Sequence, residues 1–165
     1  MRVSKAKFAI LVAMSVVGII ASTYVLIIFN ALKKLPLGCP SKPTGWINCA
    51  AVLESKYSQF LGIPLELFAI AYFMVSLFLI YLVVFGRAAW FRYSLSFLFF
   101  WRFLGVPLVL YLISLEVFVI HAICIYCTIM HGAILTDFGV ISYFLYSKAL
   151  DPSMVKAGKE VIIEQ

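Results

Sequence analysis

The sequence predicts an all-α membrane protein: a bundle of four transmembrane helices with a surface half-helix in the first loop. Of its 165 residues, 65% are apolar and only 12% are charged, whereas a soluble domain carries about 25% charged residues. A helix needs about 20 apolar residues to cross the hydrocarbon, so four spans fit this length. We therefore expect one membrane domain over residues 1–165.

The four spans are predicted at about residues 8–29, 63–85, 95–117 and 122–146, with a loop at 30–62 and a tail at 147–165. The first span contains no charge and is too long for the apolar region of a signal peptide, so we interpret it as retained. The second begins at Gly62-Ile63-Pro64, where proline suits a first helical turn. A short connection at 86–93 follows. Glu116 and His121 mark the turn between the last two spans.

Positive charge in this chain predicts membrane topology. The net charge is +6, but Lys and Arg occur singly or in pairs beside apolar runs, which is typical of membrane flanks and not of nucleic-acid binding. Eight of these residues fall on the side of the termini: Arg2, Lys5, Lys7, Arg87, Arg92, Lys148, Lys156 and Lys159. Four fall on the other side: Lys33, Lys34, Lys42 and Lys56. The positive-inside rule then predicts cytoplasmic termini in a cell membrane.

The first loop holds an amphipathic pattern. Ala50, Leu53, Tyr57 and Phe60 recur at helical spacing, which predicts a short helix along the membrane surface. Asn48 precedes this pattern and suits the N-cap position. Cys49 would then lie in the first helical turn.

All four cysteines fall on one predicted side of the membrane. Cys39 and Cys49 lie in the first loop, and Cys124 and Cys127 form a C-x-x-C unit at the start of the fourth span. At a helix N-terminus, free N–H groups and the helix dipole favour a thiolate. His131 follows Cys124 at i+7 on the same helical stripe, where it could bind a ring carbonyl or simply bond a neighbouring helix.

Two other interpretations of the cysteines stay open. All four could hold a zinc ion in a closed site, although the loop pair has an irregular C-x9-C spacing and no histidine nearby. They could also form fixed disulfides in a structural subunit. Arg102 and Asp137 are charged residues inside the spans, and we expect them to form a structural ion pair that needs no catalytic role.

The order of these motifs resembles the vitamin K epoxide reductase family. The matching residues are Cys49-Ala50-Ala51-Val52-Leu53-Glu54-Ser55-Lys56-Tyr57, Gly62-Ile63-Pro64-Leu65 and, some 60 residues later, Cys124-Ile125-Tyr126-Cys127. The resemblance covers nearly the whole chain. It implies a membrane enzyme that oxidises thiols and supports disulfide bond formation, with a quinone of the menaquinone or ubiquinone type as electron acceptor.

The resemblance also implies roles for individual residues. Cys124 and Cys127 would form the active-site pair, with Cys127 facing the quinone. Cys49 would exchange with Cys124, and Cys39 would meet an outside partner, a thioredoxin-fold protein of the DsbA or protein disulfide isomerase type. Ser55 matches the serine that the family places near the active site.

Departures from the family indicate a prokaryotic type of homologue. His131 stands where the vertebrate enzymes have a tyrosine, and their vitamin K-binding asparagine is replaced near Pro64. The C-x9-C spacing is longer than in the vertebrate loop. No thioredoxin-like domain follows the fourth span, so we expect a separate redox partner. If the termini are cytoplasmic, this partner would meet the cysteines on the extracytoplasmic side of the membrane.

Overall fold

A computed structural model describes residues 5–39, 46–85 and 88–149. Four of its helical segments are long and apolar enough to cross a membrane: Ala9–Ala31, Leu65–Val83, Ser96–Ile120 and Ile125–Tyr143. The predicted four-helix membrane protein is therefore confirmed. Most of the predicted tail, from residue 150 onward, lies outside the described residues.

The elements follow one another along the chain as five α-helices and one small hairpin. They are α1 (Lys5–Val25), α2 (Cys49–Leu53), β1 (Gln59–Phe60), β2 (Ile63–Pro64), α3 (Leu65–Phe85), α4 (Ala88–Ser114) and α5 (Ile125–Ala149). Two π-helical turns extend α1 and α4, at Leu26–Ala31 and Leu115–Ile120. The predicted connection at 86–93 is too long, because Ala88-Ala89-Trp90 contains no helix breaker and α4 already begins at Ala88.

The four long helices form a bundle in which α1 and α4 lie at opposite corners. α1 packs against α3 and α5, and α4 packs against the same two helices. Two glycines allow close approach: Gly18 of α1 lies against the ring of Phe73, and Gly105 of α4 lies against the hydroxyl of Tyr72. A small residue at such a contact lets the helix axes come together, as is common between membrane helices.

Three buried clusters follow one another along the bundle. The first, near the connection between α3 and α4, is formed by Leu11, Leu79, Ile80, Val83, Leu98 and Ile141. The central cluster is formed by Phe73, Val109, Ala133 and Ile134. The third, which we call the cysteine cluster, is formed by Val25, Cys49, Val52, Leu53, Ala122 and Cys124. It defines the cysteine end of the bundle.

A buried ion pair ties three helices together. The Arg102 guanidinium of α4 donates to the Asp137 carboxylate of α5, and both side chains are fully buried. Arg102 Nη2 also donates to Ser15 Oγ of α1 at 3.1 Å. The expected pair is confirmed, and its place between α1, α4 and α5 satisfies charges that lipid would not solvate.

The first loop carries the predicted half-helix in shortened form. The Asn48 side chain accepts a hydrogen bond from the Ala51 N–H at 3.1 Å, so the predicted N-cap is confirmed and Cys49 opens α2. The helix ends at Leu53, and the Ser55 hydroxyl donates to the Val52 carbonyl at 2.8 Å. Such a local side-chain bond competes with continued helix.

A hairpin replaces the second half of the predicted surface helix. Residues 56–58 form one 3-10 turn, after which β1 pairs antiparallel with β2. Leu61 and Gly62 both adopt positive φ, at 54° and 80°. Gly62 tolerates this conformation without strain and closes the turn. Phe60 and Pro64 therefore belong to the hairpin, and their predicted helical positions are wrong.

Candidate active site

The C-x-x-C unit lies at the beginning of α5. Cys124 is fully buried and occupies the position before the first helical residue, and its carbonyl accepts from the Thr128 N–H at 2.9 Å. Its sulfur accepts from the Cys127 N–H at 3.5 Å, as an N-cap side chain does. The hydrogen bond from the Cys127 thiol lowers the pKa of the Cys124 thiol. The helix start thus favours a thiolate on Cys124.

The two loop cysteines are joined to each other. Cys39 and Cys49 form a disulfide, whereas Cys124 and Cys127 are free thiols. Cys49 is fully buried within the cysteine cluster, and Cys39 packs against that cluster with part of its surface exposed. The pair therefore links the buried interior to the protein surface.

Backbone hydrogen bonds hold the loop against the start of α5. Ile47 and Ile123 form a parallel bridge, in which the Ile123 N–H donates to the Trp46 carbonyl at 2.7 Å and the Asn48 N–H donates to the Ile123 carbonyl at 3.2 Å. The segment that leads into Cys49 is thus paired with the segment that leads into Cys124.

Two tyrosines make a second attachment on the other side of the loop disulfide. The Tyr126 hydroxyl donates to the Leu37 carbonyl at 2.7 Å, and the Leu37 N–H donates to the Tyr24 hydroxyl at 3.1 Å. Their rings lie 5.4 Å apart. Together with the Ile47–Ile123 bridge, these bonds explain why Cys49 and Cys124 share one buried cluster.

A largely apolar pocket opens beside the C-x-x-C unit between α3, α4 and α5. Cys127, His131 and Ser55 all line it, so the structure brings these three predicted residues together around one space. His131 is buried one helical turn beyond Cys127. Ser55 lies on the part of the wall that the first loop contributes.

The pocket also contains polar groups that sequence reasoning did not assign to the site. Glu116, Glu66 and Tyr72 all line it. Glu66 and Glu116 are each only 6% exposed. The Glu66 Oε2 atom and the Tyr72 hydroxyl have no hydrogen-bond partner in the described part of the chain. The two glutamates could have been found from the sequence, because each is an acidic residue near the outer end of a span and buried charge within a membrane commonly marks function.

Glu116 lies beside the thiols. Its carboxylate faces the Cys124 N–H and the Cys127 thiol. Its carbonyl accepts from the Ala122 N–H at 3.0 Å and from the His121 N–H, so the end of the α4 extension is fixed to the turn that precedes Cys124. The carboxylate is consequently held between the thiols and the pocket.

Metal coordination finds no support in the residues that the structure describes. No group of three or more His, Cys, Asp or Glu side chains among them is arranged to hold a metal ion. Two of the four sulfurs are instead bonded to each other.

Four membrane helices with a disulfide and a dithiol in one cluster at one end are the features of a membrane thiol–disulfide oxidoreductase. A model of the vitamin K epoxide reductase family matches residues 9–142, which is most of the chain. The chain belongs to this family of oxidoreductases, which use quinone-type electron carriers. No curated protein matches the sequence.

Proposed function

We propose that the protein transfers electrons from a reduced thioredoxin-fold protein to a membrane quinone and so supports disulfide bond formation. The partner, of the DsbA or protein disulfide isomerase type, reduces the Cys39–Cys49 disulfide. Cys49 then exchanges with Cys124, and the Cys124–Cys127 dithiol reduces the quinone. The first two transfers are thiolate attacks on a disulfide, and in the last the Cys124–Cys127 disulfide forms while the quinone takes up two electrons and two protons; the direction of each follows the reduction potentials.

The observation that carries this proposal is the shared burial of Cys49 and Cys124 directly beside a pocket lined by Cys127. A fixed structural disulfide would not need a second, free pair of thiols against it. The partly exposed Cys39 offers the sulfur that an outside thiol can attack. Exposed Leu37 and Trp46 beside it offer apolar contact area for such a partner.

The pocket fits a quinone head group of the menaquinone or ubiquinone type. Its wall is mostly apolar, the unpartnered Tyr72 hydroxyl can donate to a ring oxygen, and Glu66 Oε2 can do so when the carboxyl group is protonated. A bound quinone would accept two electrons and two protons. His131 would hold one of its oxygens through a ring N–H beyond Cys127, and Ser55 would hold the other through its hydroxyl once that group turns away from the Val52 carbonyl, to which it donates in the structure. Cys127 would face the ring.

The same proposal includes an orientation. Flanking charge, eight residues against four, favours cytoplasmic termini and extracytoplasmic cysteines. After mild reduction of intact cells, a membrane-impermeant thiol reagent should label Cys39. Labelling that requires lysed cells would instead place the cysteines in the cytoplasm.

Turnover with two reductants tests the proposed route. Purified protein should reduce a soluble quinone analogue with dithiothreitol, and Cys127→Ala should abolish this activity because the exit thiol is missing. Cys39→Ala should retain turnover with dithiothreitol but lose it with a reduced thioredoxin-fold protein. Normal quinone reduction by Cys127→Ala would refute the assigned exit, and equal loss with both reductants in Cys39→Ala would refute the shuttle role.

A further inference from the structure

We infer that Glu116 is a catalytic residue of this site, the base that takes the Cys127 thiol proton and passes it toward the quinone pocket. This inference rests on the proposed function. Its first support is position, since Glu116 and Cys127 line the same pocket and the carboxylate faces the thiol. Its second is burial, since a carboxylate only 6% exposed within a membrane span is costly to keep without a role.

Proton balance gives this carboxylate a task. When Cys124 and Cys127 close their disulfide, the S–S bond forms, two S–H bonds break, and the thiols lose two electrons and two protons. A quinone takes up the same two electrons and two protons. Within the enclosed site, Glu116 accepts the Cys127 proton, releases it to a ring oxygen and returns to the carboxylate. The second proton is the one that Cys124 released when its thiolate formed, and an equivalent proton from solvent reaches the other ring oxygen.

The surroundings of Glu116 suit a proton carrier. The titratable groups that line the pocket with it are Cys127 and His131 from α5, Glu66 and Tyr72 from α3 and Tyr57 from the first loop, and Cys124 lies beside it. Among the described residues, no Lys or Arg lines the pocket, so no cation there forms an ion pair with Glu116. The carboxylate instead faces the Cys124 N–H, which favours its ionised form.

The test replaces the carboxylate by an amide of the same shape. Glu116→Gln keeps an oxygen for the Cys124 N–H but cannot take a proton, and general base catalysis is worth about 10²–10⁴ in rate. We expect turnover at neutral pH to fall at least about 100-fold. Glu54→Gln is the matched control, because Glu54 is an exposed carboxylate of the first loop that does not line the pocket, and it should keep wild-type turnover.

A second readout needs no quinone and separates proton transfer from structure. At pH 8 in the reduced protein, alkylation of Cys127 by iodoacetamide, followed by peptide mass spectrometry, should be faster in Glu116→Gln than in the wild type. The amide removes a negative charge beside Cys127, and that charge disfavours the thiolate. The variant would thus form thiolate more readily and still turn over more slowly.

Opposite changes in the two readouts support the inference. Wild-type turnover in Glu116→Gln overturns it, and so does a fall in turnover with unchanged or slower alkylation, which indicates a structural role. If Glu116→Gln does not fold, Glu116→Asp replaces it in the test. The turnover rate of Glu116→Asp should rise with pH and level off once the carboxylate is ionised. A turnover rate that keeps rising up to the pH at which an ordinary thiol ionises overturns the inference. If the wild-type protein does not reduce a quinone, the proposed function itself is refuted.

Discussion

Replacing Asp137 by leucine would leave the Arg102 guanidinium without its counter-charge inside the bundle. Breaking a buried pair by removing one partner costs about 3–5 kcal/mol. Arg102 would keep its hydrogen bond to Ser15 at 3.1 Å, so we expect a loss near the lower limit, about 3 kcal/mol. For a chain of this size that corresponds to a fall of roughly 6–12 °C in the melting temperature.

Thermal unfolding in detergent, followed by near-UV circular dichroism, would measure this loss. The double variant Arg102→Met with Asp137→Leu removes both charges and should recover most of the stability, because apolar replacement of a whole buried pair is often neutral or stabilising. Two results would refute the reasoning: a single variant within about 1 kcal/mol of wild type, or a double variant as unstable as the single one.

Two further predictions concern packing and ionisation. Gly18→Ala places a methyl group against the ring of Phe73 and should lower the free energy of unfolding by about 1–3 kcal/mol. Gly139→Ala adds a methyl group in open space on α5 and should raise the free energy of unfolding by about 0.5–1 kcal/mol. Equal melting temperatures of the two variants would contradict the close approach of α1 and α3. The lowered pKa of Cys124 means that the folded dithiol releases a proton at a pH where the unfolded chain still holds it. Stability of the reduced protein should therefore rise with pH between that pKa and the ordinary thiol value, and Cys124→Ser should lose this rise. An undiminished rise in Cys124→Ser would assign it to another group.

Local chemistry made much of the fold predictable. The four spans follow from uninterrupted apolar runs, and the Asn48 cap from a side chain that can accept a hydrogen bond just before a helical pattern. The Arg102–Asp137 pair follows from the cost of isolated charge in lipid. In each case the other arrangements that the same residues could adopt would cost much more free energy.

The contacts that build the site depend on distant parts of the chain. The pairing of Ile47 with Ile123 uses backbone groups, which carry no sequence signal. The π-helical turn at Leu115–Ile120 changes the helical register just where Glu116 lies, so a period of 3.6 residues does not predict which way that carboxylate points. The surface helix failed as a prediction beyond Leu53 because the turn at Leu61 and Gly62 competes with it.

The stoichiometry of quinone reduction tests the central claim most directly. Four thiols hold two electron pairs, so fully reduced protein, freed of reductant and mixed anaerobically with excess quinone, should reduce two equivalents. Cys39→Ala combined with Cys49→Ala should reduce one equivalent, and Cys127→Ala none. A single equivalent from the wild type would show that the loop pair does not pass its electrons on, and any stoichiometric reduction by Cys127→Ala would contradict the proposed route.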